Sequence, residues 1–170
     1  MNEFLSDENI TRHREYIRMQ RLKYSIFESS FPELVGADFS RACRVRLKHR
    51  DRTDALSLLS NIEMHDIFFS SFSSSPYPRS KRISKQYGSE SGFLNEVYGI
   101  CMGAIFGFIA VYDLKGEVNI RAFERCEEAL TFGRPTLAID VCEHAYFMDY
   151  GFDKERYLIG ALPYLDIGRI

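Results

Sequence analysis

The stretch Ile139–Tyr150, IDVCEHAYFMDY, sets Asp140 and His144 four residues apart with Glu143 between them. It follows the β-branched, apolar approach TLAIDV, so it reads as a short strand passing into a helix. An Asp/His pair at this spacing is common by chance and by itself describes an ordinary strand end. Its meaning depends on the chain's other histidines, His13, His49 and His65.

Two of these three fall on helical stripes. Ser6 followed by Asp7 and Glu8 is a helix-start signal, and Ile10, His13, Ile17, Arg21 and Tyr24 then share one helical face. FPELVGADFS closes that helix. A second helical pattern runs from about Thr53 to Phe72, with Leu58, Ile62, His65, Phe69 and Phe72 as its apolar stripe. Each long helix thus places one histidine where a core residue normally points. His49 lies in a basic run and is expected to be exposed. A lone histidine on an apolar face is usually a satisfied core residue. Two on neighbouring helices, plus a strand-end Asp/His pair, make a four-donor set for iron, manganese or zinc.

The remainder of the chain is organised around a Ser/Pro-rich break, SFSSSPYPRS. SGFLNEVYGICMGAIFG reads as a buried helix. FGFIAVYDL, EVNIRAFE and TLAIDV read as three short strands, with DLKGE as a hairpin turn. EHAYFMDYG and DKERYLIGALPYLDI read as closing helices. The class expected is α+β: an N-terminal helical hairpin lobe, then a lobe with a small three-stranded antiparallel sheet flanked by helices.

Composition narrows the function classes. With 170 residues, 45% hydrophobic and 27% charged, the chain fits a globular protein of one domain or two small lobes. The longest apolar run, ICMGAIFGFIAV, is too short to span a bilayer, and MNEFLSDENI lacks the pattern of a secretory leader. Four cysteines without C-x-x-C spacing suit reduced thiols and a cytoplasmic setting. The net charge is −2, yet residues 1–85 carry 15 Lys+Arg against 11 Asp+Glu and residues 86–170 carry 7 against 13. The basic runs at Arg41–Arg52 and Arg79–Lys85 lack interleaved aromatics, so they read as solvated connections rather than a nucleic-acid surface.

Within this frame, DVCEHAYFMDY resembles the D-V-W-E-H-A-Y motif of the iron/manganese superoxide dismutase family, with Cys142 in place of Trp. LSDENITRH resembles the family's first helix up to its first ligand, and NIEMHDIFF the segment around its second. VYDLKGEVNI resembles the hairpin that begins its small sheet. The resemblance runs in order over most of the chain. It implies a helical hairpin domain over 1–78 and an α+β domain over 79–170, each giving two ligands to one iron or manganese ion. The ligands so implied are His13, His65, Asp140 and His144, the set already reached from the helix faces. The implied reaction is disproportionation of superoxide to O2 and hydrogen peroxide, with a solvent molecule as fifth ligand. Asp140 would also accept a hydrogen bond from that solvent.

Further implied features are a homodimer, in which Glu143 reaches the last His ligand of the other subunit, and a tuning amide one turn before the second ligand. That amide is Asn61 here, a lean toward iron. The family's Tyr at the mouth of the site, eight residues after the first ligand, falls on Arg21, which could help draw in the anion. Tyr16 and Tyr24, on either side of it, are candidate substitutes. The chain also departs from the family in having Ile17 and Phe147 where a His–Tyr pair links two subunits, and in having no Trp at all. Loss of both partners together leaves no unpaired polar group. The alternative reading is a divergent member that binds metal or a partner without dismutase activity. A zinc hydrolase on the same donors would lack a free general base other than Glu143.

Overall fold

The computed structural model describes residues 4–46 and 49–170. Helix α1 (Asp7–Ser30) starts where Ser6 accepts the Asn9 N–H, with Asp7 and Glu8 favoured in its first turn by the helix dipole. Its buried line is Asn9, His13, Ile17 and Tyr24. Arg21, expected on that line, is exposed, because the face is turned toward Asn9 instead. The Asn9 amide donates to the Ala145 carbonyl at 3.1 Å and to Asp149 at 3.0 Å, which ties α1 to the C-terminal part of the chain.

The basic run at Arg41–Arg52 is not all loop. Asp38 caps a short helix α2 (Phe39–Ala42), and α3 (His49–Ser70) begins four residues earlier than its apolar stripe suggests. Arg is a good helix former and Asp51 suits a first turn, so polar residues extend the helix beyond its packed part. Leu47 and Lys48 lie outside the described residues, as does the His49 side chain and the exposure expected of it. The second basic run also becomes helix: α4 (Lys81–Tyr87) is capped by Ser80 and ended by Gly88 at φ 78°. Arg82 then reaches across as a paired fork onto Asp113.

After α5 (Glu90–Gly103), the strands β1 (Phe108–Leu114) and β2 (Glu117–Phe123) form a hairpin. Lys115 and Gly116, both at positive φ (51° and 93°), make the two-residue turn whose twist suits such a hairpin. Helix α6 (Cys126–Phe132), which the sequence pattern did not reveal, leads to β3 (Leu137–Asp140). The sheet is antiparallel in the order β2-β1-β3, and Phe108 pairs with both Phe123 and Asp140. Helices α7 (Glu143–Tyr150) and α8 (Lys154–Ala161) complete the α+β arrangement.

Two apolar clusters hold these elements. One joins Ile17, Tyr24, Leu34, Leu59 and Ile62 between α1 and α3. The other runs from Phe4, Met64 and Phe68 into the sheet and its helices. His13 and His65 therefore sit one turn or less from residues of both clusters. No described helix is long and apolar enough to cross a membrane.

Candidate metal centre

Four elements deliver one side chain each to a single point: α1 gives His13, α3 gives His65, β3 gives Asp140 at its last residue, and α7 gives His144 in its first turn. Their donor atoms all lie within 4.8 Å of one another, and no other grouping of three or more such donors occurs among the described residues. The Asp140 Oδ2 is the common focus. The Nε2 atoms of His144, His65 and His13 stand 3.0, 3.6 and 3.7 Å from it. Asp140, His13 and His65 are almost fully removed from water, while half of the His144 side chain remains exposed.

Local contacts aim these atoms. Asp140 Oδ1 accepts the Cys142 N–H at 2.8 Å, which turns Oδ2 inward, and the Tyr157 hydroxyl donates to the Asp140 carbonyl at 3.0 Å. His65 Nδ1 meets the Asn61 carbonyl at 2.7 Å. A carbonyl can only accept, so Nδ1 carries the proton and Nε2 keeps its lone pair toward Asp140. Phe68 and Phe69 pack on the His13 ring, at 5.5 and 5.1 Å, and Phe108 packs on His65 at 5.1 Å.

The electrostatics separate the three rings. Burial pushes His13 down to about 4, against the pull of Asp140 and with help from the neighbouring imidazoles. Burial lowers His65 too, opposed by Asp140 and by its bond to Asn61. For His144, burial acts downward but the hydrogen bonds to Asp140 and Cys142 outweigh it, raising the ring to about 10. Burial resists the charge on Asp140, but the bond from His144 and the nearby rings hold it below its ordinary range. At neutral pH this leaves a carboxylate faced by two neutral imidazoles and one protonated one.

The donor set fits a transition metal on an observation independent of any likeness. His13 Nε2 and His65 Nε2 are buried and have no hydrogen-bond partner, nor have His13 Nδ1 and Asn61 Oδ1, while the buried Asp140 Oδ2 meets only the His144 ring. Leaving a buried polar atom unpaired costs about 1–3 kcal/mol, so unpaired donor nitrogens gathered beside one carboxylate favour a shared partner. Imidazole nitrogen and carboxylate oxygen are donors suited to iron, manganese or zinc. A cation there would displace the His144 proton, as metal binding does for protonated ligands.

The other residues singled out from the sequence separate into two groups. Asn61 lies at the centre, one turn before His65, through its carbonyl and its buried Oδ1. Arg21 does not join the centre: its guanidinium grips Asp66 at 2.5 Å, with both side chains about half exposed. Such a pair contributes under about 1 kcal/mol. Arg21→Ala is expected to leave bound metal unchanged and shift unfolding by no more than that, as read by metal analysis and denaturant titration. The residue at the open side is Tyr16, 42% exposed. Its ring lies 5.6 Å from His65 and 5.9 Å from His144. Burial raises its hydroxyl, and a hydrogen bond from the Asn61 side chain works against that rise. Glu143 is exposed at the start of α7.

Comparison with known proteins bears on the C-terminal part of the chain. Residues 77–166, just over half of the chain, match the family model described as iron/manganese superoxide dismutases, C-terminal domain. Two curated proteins of Halobacterium salinarum are similar to it. Superoxide dismutase 2, a manganese enzyme by its name, is 33% identical over 88 residues, covering 50% of this chain and 44% of its own length. Superoxide dismutase 1, also named for manganese, is 32% identical over 79 residues, covering 45% and 40%. The chain thus spans less than half the length of the curated relatives it matches. The matched span includes Asp140 and His144, whereas His13 and His65 precede it and rest on geometry.

Proposed function

The chain belongs to the iron/manganese superoxide dismutase family, and on that footing we propose that it disproportionates superoxide to O2 and hydrogen peroxide. The proposed centre is one iron or manganese ion held by His13, His65, Asp140 and His144. The observation that carries this reading is the convergence of buried, unpartnered donor atoms on one point. When bound, such an ion would supply the one-electron redox chemistry that disproportionation needs. Either metal suits three imidazoles and a carboxylate, and manganese is the one named for both relatives.

The chain's own residues have distinct proposed parts. Asp140 contributes the negative charge, its free oxygen aimed by the Cys142 N–H. The Asn61 carbonyl fixes the His65 tautomer, which keeps that nitrogen available and raises its basicity. The Asn61 amide, whose buried Oδ1 has no partner in the fold, is the proposed tuning group. Tyr16 stands in place of Arg21 as the side chain at the mouth. Replacing Tyr16 by Phe removes the hydroxyl at the mouth while keeping the ring against His65 and His144, so metal content should stay whole while turnover falls roughly tenfold, the equivalent of one hydrogen bond of about 1.4 kcal/mol. A rate equal to the parent's would take Tyr16 out of this role.

A homodimer is part of the same proposal. His144 is the half-exposed member of the quartet, Glu143 is exposed beside it, and Phe147 and Phe152 present an apolar face on the same part of the chain. A second copy placed there would bring its Glu143 to this His144 and shield the ring. The division at 78/79 into two domains with two donors each, and a cytoplasmic site of action, complete the reading.

Elemental analysis of the purified protein, paired with a xanthine-oxidase superoxide assay, is the direct test. About one iron or manganese per chain with superoxide consumption is expected. Stoichiometric metal without consumption would leave a metal-binding member that has lost the reaction.

A further inference from the structure

A groove runs between α1 and α3 on the flank turned away from Tyr16. Round α1, Arg14, Arg18 and Arg21 stand about 100°, 140° and 80° from His13, whereas Tyr16 stands about 60° the other way. The groove has two unlike halves that share Arg14 and Phe69 in their walls. The first, a cavity of about 340 Å³, is walled by Phe4, Leu5, Ile10, Phe68 and Phe72, with Asp7 and Thr11 at its rim. The second, a cleft of about 410 Å³, carries Arg14, Arg18 and Arg21 beside Ile17 and faces Asp66 and Ser70. The Arg14 guanidinium sits at the junction, 5.5 Å over the Phe69 ring in a cation–π contact. Asp66 is already taken by Arg21. Among the described residues Arg14 and Arg18, both exposed, form no ion pair. The Arg169 guanidinium, bound to the Ser70 carbonyl, adds positive charge on the α3 side. Two uncommitted guanidiniums one turn apart thus adjoin an apolar cavity of the size and lining that small-molecule sites have.

We propose that this groove binds a single-chain amphiphile with an anionic head, its alkyl chain in the phenylalanine cavity and its carboxylate or phosphate on Arg14 and Arg18. The chain is driven in by removal of its apolar surface from water. The head is held by guanidiniums, whose paired N–H groups match the oxygens of either anion. From Asp7 to Arg14, α1 rises about 10.5 Å, so a chain of medium length spans the cavity with its head at the junction. Asp7, two turns from Arg14, sets the direction of the chain by repelling the head. A cationic head would be repelled by Arg14 where the halves meet, and a bare anion would leave the apolar walls unused. The inference is independent of the dismutase reading.

The test is calorimetric titration of the full chain with decanoate below its micelle concentration. Saturable binding of one decanoate per chain is expected. Octanoate should bind on the order of tenfold more weakly, since each buried methylene contributes about fourfold. Acetate, which has the head alone, and decyltrimethylammonium, which has the chain with the opposite charge, should not bind. Arg14→Gln and Arg18→Gln change exposed positions, so the fold is retained. Each should weaken decanoate about tenfold, the loss of one hydrogen bond to a charged group. Decyl phosphate in the same series identifies the head: tighter binding than decanoate assigns phosphate, weaker binding assigns carboxylate, and either supports the site. Equal affinity for decanoate and octanoate, or for decanoate and decyltrimethylammonium, overturns the proposal. Unchanged affinity in the Arg14→Gln/Arg18→Gln double variant overturns it too. Binding that disappears when metal is removed places the carboxylate on the ion and has the same result. Binding to phosphatidylglycerol vesicles without uptake of free decanoate replaces the groove ligand with a membrane surface and also overturns it.

Discussion

His65→Ala is expected to abolish stoichiometric metal and reduce superoxide consumption to background. The ring is almost fully buried, its Nδ1 is committed to the Asn61 carbonyl, and its Nε2 has no partner other than the centre. Loss of an outer contact to a ligand lowers metal affinity 10–100-fold, so loss of the ligand itself should cost at least about 100-fold. Folding should survive. The substitution removes a neutral ring crowded against His13 and His144, at 5.0 and 5.8 Å, while the Asn61 carbonyl keeps its helical backbone bond from residue 65. The decisive comparison is therefore between metal-loaded and metal-free melting. The parent should melt higher with metal, because an ion that binds only the native state stabilises it by mass action. The variant should melt at one temperature with or without it. Full metal content in His65→Ala would remove this residue from the centre, and a metal-dependent melt in the variant would do the same.

The same centre shows which parts of a site are written locally. Asp140 and His144 belong to one strand-to-helix joint, and their spacing alone puts them on one spot once the joint forms. His13 and His65 each sit on an apolar stripe, where periodicity announces an inward direction. What periodicity does not specify is the side of the helix that borders the opening. From His13, Tyr16 lies about 60° round one side of α1 and Arg21 about 80° round the other, at 3.6 residues per turn. Which of them meets the pocket depends on how α3 and α7 clasp α1, a matter of Asn9 on Ala145 and Asp149 rather than of nearby sequence. Asp66 then draws Arg21 away. The two basic runs misled for a related reason. A solvated helix and a solvated loop share a composition, and only the caps at Asp38 and Ser80 separate them. Helix α6 is short, and it is placed by packing on α3 and the sheet rather than by a stripe of its own.

The second large effect is expected at Tyr157, the residue that supports Asp140 from below. It is fully buried, its hydroxyl donates to the Asp140 carbonyl at 3.0 Å, and its ring stacks on Tyr146 at 4.9 Å and packs against Tyr150 at 5.9 Å. Tyr157→Ala leaves a cavity between α7, α8 and β3 and should cost about 3–5 kcal/mol, or roughly 6–20 °C in melting temperature for a chain of this size. Tyr157→Phe separates packing from hydrogen bonding. It keeps the ring and deletes only the donor, so stability should fall by about 1–1.5 kcal/mol. The two variants should also part at the metal. Without the hydroxyl, the last residue of β3 loses a restraint and Asp140 Oδ2 is aimed less sharply, so Tyr157→Phe should bind metal about tenfold more weakly. That loss is measurable by competition with a chelator in protein that is still fully folded. Unchanged affinity in Tyr157→Phe would show that the Cys142 N–H and the sheet pairing of Asp140 with Phe108 suffice to hold the carboxylate. A melting loss below about 1 kcal/mol in Tyr157→Ala would show that the aromatic stack beneath the centre can collapse to fill its own gap.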